Sequence, residues 1–130
     1  MKFSLAIYAA PYSAQGSATA YRFAVEALAQ GHEIYRLFFY SDGVHNASAS
    51  AAPPQDELHL PEKWQQFVQQ HKIDAVVCVA SALRRGILDT QEAERYEKNA
   101  ANMLEGFEIS GLGQLVDAAV HSDRVITFGA

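Results

Sequence analysis

Hydrophobic and polar positions follow two different periods along the chain. Short apolar runs, typical of strands buried on both faces, predict strands at Phe3–Ala9, Glu33–Tyr40, Ala75–Val79, Phe107–Ser110 and Arg124–Phe128. Apolar residues spaced three and four apart predict helices at Ser17–Gln30, Pro61–Gln70 and Leu112–Val120. Gly31 marks the end of the first helix, and the capping-box spacing of Asp89 and Glu92 predicts a further polar helix from Asp89 to about Asn99.

This alternation of strands and helices predicts an α/β fold. The expected architecture is a three-layer α/β/α sandwich around a mainly parallel sheet of about five strands. The 130 residues suffice for one core and contain no internal repeat or linker, so we expect a single domain over residues 1–130. The segment Ser41–Glu57 is rich in Ser, Ala, Gly and Pro and has no periodicity, which predicts a long loop, either functional or mobile.

Composition and charge narrow the class of function. Apolar residues make up 49% of the chain, which excludes a largely disordered protein. The formal net charge is −5 and the longest basic run is Arg84–Arg85, so we expect no direct binding of tRNA or other nucleic acid. With one cysteine no internal disulfide is possible, and the first residues resemble a strand more than a signal peptide. No stretch reaches the roughly 20 apolar residues of a membrane span, so we expect a cytosolic protein without a membrane partner.

The single cysteine, Cys78, stands where the third predicted strand meets the segment ASALRRG. A helix N-terminus at that turn would stabilise a thiolate, the nucleophilic form of the side chain. Unpaired N–H groups from Ala80 to Leu83 would also hold a terminal sulfur anion. The alternative is an inert core residue, because free cysteine is among the most buried residue types and Val-Val-Cys-Val is ordinary strand packing. The residue pattern alone slightly favours an inert core cysteine over a reactive one. The position of Cys78 at the strand exit reduces that preference.

Other polar clusters have a structural interpretation beside a functional one. Arg84 and Arg85 suggest an anion site, but arginines also favour a solvated helix C-terminus, and that interpretation is preferred. Asp42–Gly43 with His45 and Asn46 suggests acid–base or metal chemistry. Turn preferences account for these residue types, and no second histidine stands at ligand spacing, so a metal site is weakly supported.

Two further sets are interpreted as structural. Ser13, Gln15 and Gly16–Ser17 follow the first strand, where a doubly wound fold would hold a phosphate. They match neither G-x-G-x-x-G nor the P-loop pattern, so helix capping is preferred. Asp117 and His121 are four residues apart on the last predicted helix and are interpreted as a solvated pair.

Three stretches in order resemble one family. They are Phe38–Ala47 (FFYSDGVHNA), Val76–Ile87 (VVCVASALRRGI) with Asp89 after it, and Ile109–Ala119 (ISGLGQLVDAA). Together they resemble the DsrE/TusD family of sulfur-relay proteins over most of the chain. The segment that carries the cysteine and the Ser-Gly-Leu-Gly turn are the more specific parts of the match.

The resemblance implies a DsrE-like fold and a sulfurtransferase in which Cys78 receives a sulfane sulfur as a persulfide and passes it on. Persulfide transfer is attack of a thiolate on sulfur, which suits a site without a neighbouring histidine. We expect backbone N–H groups of the following turn to stabilise the sulfur anion and Arg84 or Arg85 to add a positive field. The turn residues are Val79, Ala80, Ser81, Ala82 and Leu83. Neither a cofactor nor a metal is expected.

The resemblance also implies partners. TusB-like and TusC-like paralogous subunits, or DsrH-like and DsrF-like ones, would join this chain in a cytosolic hetero-oligomer, expected to be a heterohexamer. In the TusD branch, sulfur arrives from a TusA-like donor and leaves to a TusE-like acceptor, toward 2-thiouridine at the tRNA wobble position. In the DsrE branch, the carrier serves dissimilatory sulfur oxidation, with a DsrC-like acceptor. The segments ALRRGI and Glu105–Phe107 suit TusD, Pro53–Asp56 and the terminal Phe-Gly suit DsrE, and we favour TusD.

Two other classes of function are kept as alternatives. A non-catalytic assembly subunit of the same complex would keep Cys78 buried and unreactive. A small nucleotide or flavin binder of flavodoxin-like architecture would show a ligand absorbance or a thermal shift with nucleotide, and the missing phosphate motif argues against it.

Overall fold

A computed structural model describes residues 1–129 as a five-stranded sheet with helices on both sides. The strands are β1 (Lys2–Ile7), β2 (Glu33–Phe39), β3 (Asp74–Cys78), β4 (Phe107–Ser110) and β5 (Arg124–Phe128). The helices are α1 (Gly16–Ala29), α2 (Leu60–His71), α3 (Val79–Arg84), α4 (Thr90–Arg95) and α5 (Gly113–His121), with a 3₁₀ helix at Ser41–Ala47. The predicted order of elements and the three-layer α/β/α architecture are confirmed. No helix within residues 1–129 combines the length and apolarity that crossing a bilayer requires.

The strand order decides which helices cover which face of the sheet. The order is β4-β3-β2-β1-β5, and all neighbouring strands run parallel. The first three connections step along the sheet in one direction, and the last returns across it to the far side of β1. Because such connections are right-handed, the last helix must lie on the opposite face from the earlier ones. We call the two faces the α1/α2 face and the α5 face.

Most of the apolar core lies on the α1/α2 face. Trp64 of α2 is fully buried there and packs edge-to-face on Phe39 and Tyr21, with ring centroids 5.4 and 5.2 Å apart. Strand residues of alternate positions, such as Leu37 and Val77, point into the same cluster. The α5 face has a much smaller buried cluster, which contains Cys78.

The segment predicted as a loop, Ser41–Glu57, is ordered at its start as a 3₁₀ helix. Gly43 makes this possible, because a Cβ on Gly43 would overlap the carbonyl oxygen of Ile7 at the end of β1. After it, Ser48 pairs with Met103 in an isolated antiparallel bridge. The prediction of a wholly irregular loop was therefore wrong for its first half, since a 3₁₀ helix this short leaves no hydrophobic period in the sequence.

The helix predicted from Asp89 to about Asn99 is shorter than expected. Asp89 caps α4 as predicted, and its Oδ1 accepts a hydrogen bond from the N–H of Glu92 at 2.8 Å. The helix ends at Arg95 because Glu97 adopts a left-handed conformation with φ of 53°. The N–H of Lys98 then bonds back to the carbonyl of Ala93 at 2.8 Å, which closes the helix end.

A buried hydrogen-bond network joins four elements on the α1/α2 face. The Asn46 side chain is fully buried, and its Nδ2 donates to the carbonyls of Ala9 and Gly43 at 3.1 and 2.9 Å. Its Oδ1 accepts from the Ser17 hydroxyl, which itself accepts from Trp64 Nε1 at 3.2 Å. This network fastens the 3₁₀ helix to β1, α1 and α2.

We expect Asn46→Ala to lower the free energy of unfolding by about 2–3 kcal/mol, because it removes the side-chain donor to the carbonyls of Ala9 and Gly43 and the acceptor of the Ser17 hydroxyl. Urea unfolding followed by tryptophan fluorescence measures this. Asn99→Ala is the matched control, since Asn99 is exposed, and it should change the free energy by less than about 0.5 kcal/mol. Equal stability of the two variants would show that the network contributes little.

Candidate active site

Cys78 is at once the last residue of β3 and the N-cap residue of α3. Its backbone is extended, with φ of −61° and ψ of 123°, so the chain passes from strand to helix without an intervening loop. Side chains of β3 alternate between the two faces of the sheet, and that of Cys78 lies on the α5 face. The residue is 5% exposed. The predicted position at the strand exit is confirmed, with β3 ending one residue earlier than expected.

The thiol lies in a small apolar environment. Phe38 and Val76 are buried beside it, and Tyr40 and Leu115 pack against this cluster from the edge of the sheet and from α5. On the other side, the strand register pairs Cys78 with Ser110 of β4. Leu115 and Tyr40 are the partly exposed hydrophobic neighbours of this cluster.

Tyr40 remains a neutral phenol over a wide pH range. Burial raises its pKa above the usual value, and the neighbouring Tyr8 raises it further. The two rings lie 5.5 Å apart at the same edge of the sheet. Tyr40 thus contributes an apolar ring and an uncharged hydroxyl to the surroundings of the thiol, not a negative charge.

The turn after Cys78 is a helix, α3, and no side chain caps it. The first N–H groups of any helix have no partner within that helix, and they point toward its N-cap residue. The Ser81 hydroxyl accepts a hydrogen bond from the N–H of Ser41 at 2.9 Å. Ala82 is buried in the main core, so α3 is held in place from both sides.

The two predicted arginines lie at the other end of α3. At about 1.5 Å per residue, Arg84 and Arg85 are roughly 9–10 Å along the helix from Cys78. Arg85 Nε pairs with Asp42 Oδ1 at 2.8 Å, and Nη1 donates to the carbonyl of Ser81 at 3.3 Å. Arg84 is exposed. Arg85 therefore ties α3 to the 3₁₀ helix, and a role of either arginine at the sulfur stays a prediction.

Arg36 fastens α5 over the face that holds the thiol. It is about nine-tenths buried, and its Nε donates to Asp74 Oδ2 at 2.7 Å. Its Nη1 donates to Asp117 Oδ2 and to the carbonyl of Gln114, both at 2.8 Å. One guanidinium thereby joins β2, β3 and α5, and it fixes the helix whose Leu115 packs on the cluster that contains Cys78.

Asp117 and His121 are more than the solvated pair that their spacing predicted. Asp117 Oδ2 also accepts from the Tyr35 hydroxyl at 2.8 Å, and His121 stacks on the Tyr35 ring at 5.6 Å. The hydrogen bond from Tyr35 is the main cause that lowers the pKa of Asp117, followed by that from Arg36. The pair belongs to the Arg36 network, which sequence spacing does not reveal.

The remaining candidates are structural. Across residues 1–129, no group of three or more His, Cys, Asp or Glu side chains is arranged to hold a metal ion. Asp42 pairs with Arg85, and Asn46 belongs to the buried network. The capping interpretation of the residues after β1 was wrong in detail: Gln15 is the N-cap and makes no side-chain bond, and Ser17 bonds to Asn46 instead.

The sequence analysis missed Tyr40, Leu115 and Ser110 as neighbours of the thiol. The sequence contains a signal for Tyr40 and another for Ser110. Tyr40 stands two residues after Phe38, so it follows the same face. Ser110 is the last residue of the fourth predicted strand, and Cys78 is the last but one of the third. Leu115 was part of the helical period, but that period does not say which helix residue covers which strand.

Comparison with known proteins assigns this arrangement to a family. The sequence profile of the DsrE/DsrF-like family matches residues 1–128. The chain belongs to the DsrE/DsrF-like family. Its fold is the one expected from the resemblance, with Cys78 at the end of β3.

Individual relatives agree with the family. The chain is 52% identical over 129 residues to the sulfurtransferase TusD homolog of Pseudomonas aeruginosa, covering 99% of this chain and 98% of the relative. It is also 52% identical over 129 residues to a relative from Allochromatium vinosum named for DsrE, covering 99% of each. The crystal structure of the YchN protein from E. coli superimposes with a TM-score of 0.78 at 22% identity, covering 98% of this chain and 99% of that one, which shows the fold alone. The close relatives are named sulfurtransferases, and this chain is a sulfurtransferase.

We expect Tyr35→Phe to raise the pKa of Asp117 toward the ordinary aspartate value of 3.8, because it removes the largest cause of the lowering. A carboxylate whose pKa is lower in the folded than in the unfolded protein stabilises the fold at pH values above the unfolded pKa. This stabilisation is lost as the pH falls through the folded pKa. Carbon NMR of the Asp117 carboxyl against pH measures the midpoint. Tyr96→Phe, at an exposed tyrosine, should leave it unchanged, and an unchanged midpoint in Tyr35→Phe would contradict the assignment.

Proposed function

We propose that Cys78 carries sulfur as a persulfide between two other proteins. The thiolate of Cys78 attacks the outer sulfur of a donor persulfide, a new S–S bond forms on Cys78, and the donor leaves as a thiolate. The acceptor thiolate then attacks the outer sulfur on Cys78, and Cys78 leaves as a thiolate. The transferred sulfur keeps its oxidation state throughout, so neither step needs an oxidant or a reductant.

The observation that carries this proposal is the position of the chain's one thiol at a strand-to-helix junction. A helix N-terminus favours an anion there, whether a thiolate or the terminal sulfur of a persulfide. We assign this support to the backbone at the start of α3, from Val79 to Leu83. Because the chain has one cysteine, it cannot resolve its persulfide as an internal disulfide, and the sulfur must leave to another protein.

The burial of Cys78 constrains how transfer occurs. At 5% exposure, the thiol must be uncovered before a protein thiolate can align with the S–S bond. Leu115 and Tyr40 are the neighbours that a docking partner would displace, because both are partly exposed and both pack on the cluster around Cys78. A covered thiol is also protected from oxidation between transfers.

The proposed partners follow from family membership. Sulfur would arrive from a TusA-like donor and leave to a TusE-like acceptor, toward 2-thiouridine at the tRNA wobble position. TusB-like and TusC-like paralogues would complete a hetero-oligomer in the cytoplasm. Dissimilatory sulfur oxidation is the second candidate, with a DsrC-like acceptor and DsrH-like and DsrF-like paralogues. The equal identity of 52% to relatives named for TusD and for DsrE supports both branches.

We expect Cys78→Ser to abolish persulfide loading from a labelled donor, because it removes the attacking sulfur. Intact-mass spectrometry detects the added mass of one sulfur atom on the wild-type chain and its loss when an acceptor thiol is supplied. The double variant Cys78→Ser with Ser13→Cys is the control, since it places a thiol at an exposed position away from α3. Loading and onward transfer by either variant at the wild-type rate would refute the assignment.

We expect Leu115→Ala to speed alkylation of Cys78 by a small thiol reagent several-fold, because it opens the cover over the thiol. Leu112→Ala is the matched control on the same segment, since Leu112 is 60% exposed and does not pack on the thiol cluster. Alkylation is specific because the chain has one cysteine. Slow, identical alkylation of both variants, in the chain alone and in its complex, would favour the non-catalytic assembly subunit.

A further inference from the structure

Tyr40 extends β2 by one residue beside the thiol. Its backbone is extended, with φ of −143° and ψ of 170°, and its N–H donates to the carbonyl of Ile7 at 3.1 Å, so the pairing with β1 continues past the end of β2. On the other side of β2, Phe39 pairs with Val77 of β3. Tyr40 therefore stands next to Cys78 on the α5 face, on a strand about 4.8 Å away.

The position of Tyr40 is fixed from the helix that begins after Cys78. Ser41 has a φ of 51°, in the left-handed region that few residues other than glycine adopt. Its N–H donates to the Ser81 hydroxyl of α3 at 2.9 Å. Backbone strain of this kind persists where surrounding contacts hold it, and it is frequent at functional sites. The chain thus turns sharply after Tyr40, and this turn is bonded to the helix that carries the thiol at its start.

The Tyr40 hydroxyl has no hydrogen-bond partner within residues 1–129. Two other tyrosines use theirs: the hydroxyl of Tyr12 donates to the carbonyl of Leu58 at 3.0 Å, and that of Tyr35 donates to Asp117 at 2.8 Å. Burial raises the pKa of Tyr40, so the phenol keeps its proton. A partly buried donor that packs on the thiol cluster is therefore available to a group that the sulfur chemistry adds there.

A persulfide adds such a group. Its outer sulfur lies about 2 Å beyond Sγ of Cys78 and is an acceptor when the persulfide is ionised. Strand side chains stand roughly perpendicular to the sheet, so the longer tyrosine side chain reaches farther from the sheet than Sγ does. The Tyr40 hydroxyl is thus better matched in height to the outer sulfur than to Sγ itself. Ser110, on the other neighbouring strand, has a short side chain that stays near the level of Sγ.

Given the persulfide proposed for Cys78, we propose that the Tyr40 hydroxyl donates a hydrogen bond to its outer sulfur and holds that sulfur as an anion. The phenol keeps its proton throughout. Loading breaks the S–S bond of the donor persulfide and forms the S–S bond on Cys78, and the hydroxyl binds the sulfur anion that results. A hydrogen bond to an ionised acceptor is stronger than one between neutral groups, so the loaded state is retained until a docking partner displaces Tyr40.

Loading of the chain from inorganic polysulfide, followed by intact mass, tests the role of Tyr40. Tyr40→Phe keeps the ring and removes the hydroxyl, and we expect it to lower the equilibrium constant for sulfur exchange with a small thiol about tenfold. The pH midpoint for alkylation of the loaded chain by iodoacetamide should rise by about one pH unit, because the ionised persulfide loses a donor. The midpoint of the unloaded Cys78 thiol should change less, since Sγ lies nearer the sheet than the hydroxyl.

Tyr8→Phe is the matched control. Tyr8 is a tyrosine at the same edge of the sheet, and its ring contacts that of Tyr40, but it follows β1, which lies about 10 Å from β3. Its variant should exchange sulfur and titrate as the wild type does. Tyr40→Phe leaves in place the other titratable and charged side chains of the α5 face, which are Tyr8, Arg36, Asp74, Glu108, Asp117 and His121.

Incorporation of 3-fluorotyrosine at position 40 gives a second test that does not depend on the folding of Tyr40→Phe. Fluorine makes the phenol a stronger donor and leaves its size almost unchanged. We expect the exchange constant to rise above that of the wild type and the midpoint of the loaded chain to fall below it. Circular dichroism checks that each variant keeps the fold.

The possible results separate the role of Tyr40 from that of Cys78. Wild-type values for Tyr40→Phe and for the fluorinated chain overturn the role of Tyr40, as does an equal change of midpoint in the loaded and unloaded chains. If the wild type loads and transfers sulfur in those cases, the carrier assignment of Cys78 stands. A wild-type chain that takes up no sulfur, although its thiol is alkylated, overturns both.

Discussion

The right-handedness of parallel-strand connections is the constraint on which the rest of this structure depends. With the order β4-β3-β2-β1-β5, it gathers α1 and α2 on one face and leaves α5 alone on the other. The large hydrophobic core therefore forms on the α1/α2 face. The single thiol belongs to the thinner face, which also carries α5.

That helix is held mainly by polar contacts. Ala118 is the single fully buried residue of α5, so hydrophobic burial alone stabilises the docking of this helix weakly. Arg36 compensates, because a buried guanidinium that satisfies two carboxylates and a carbonyl fixes position more strictly than apolar contact does. The cost is that loss of either carboxylate leaves a largely buried charge with fewer partners. The position of Leu115 against the cluster around Cys78 thus depends on an ion network that does not include the thiol.

The chemistry proposed for Cys78 requires few neighbouring groups. Attack of a thiolate on a sulfane sulfur needs an available thiolate, a good leaving thiolate and alignment of three sulfur atoms, not a general base. An apolar surrounding of Phe38, Val76 and Leu115 with a helix N-terminus at the thiol is consistent with that requirement. In that proposal, specificity would come from which protein can dock and uncover the thiol.

The sequence by itself determined the elements, their order and the place of the cysteine. Apolar runs and helical spacing are local properties, so β4 and β5 match their predicted bounds, and Gly31 and Asp89 mark helix ends as expected. The tertiary structure alone decided what meets across the fold: Ser17 with Asn46, Arg36 with Asp117, and Leu115 with the cluster around Cys78. A period in a sequence shows that a helix has an apolar side, but not whether that side faces a sheet, solvent or another chain. For α5 the strand order decides which surroundings the helix meets. The strand order sets the direction of the crossover, and that direction determines which face of the sheet the helix covers.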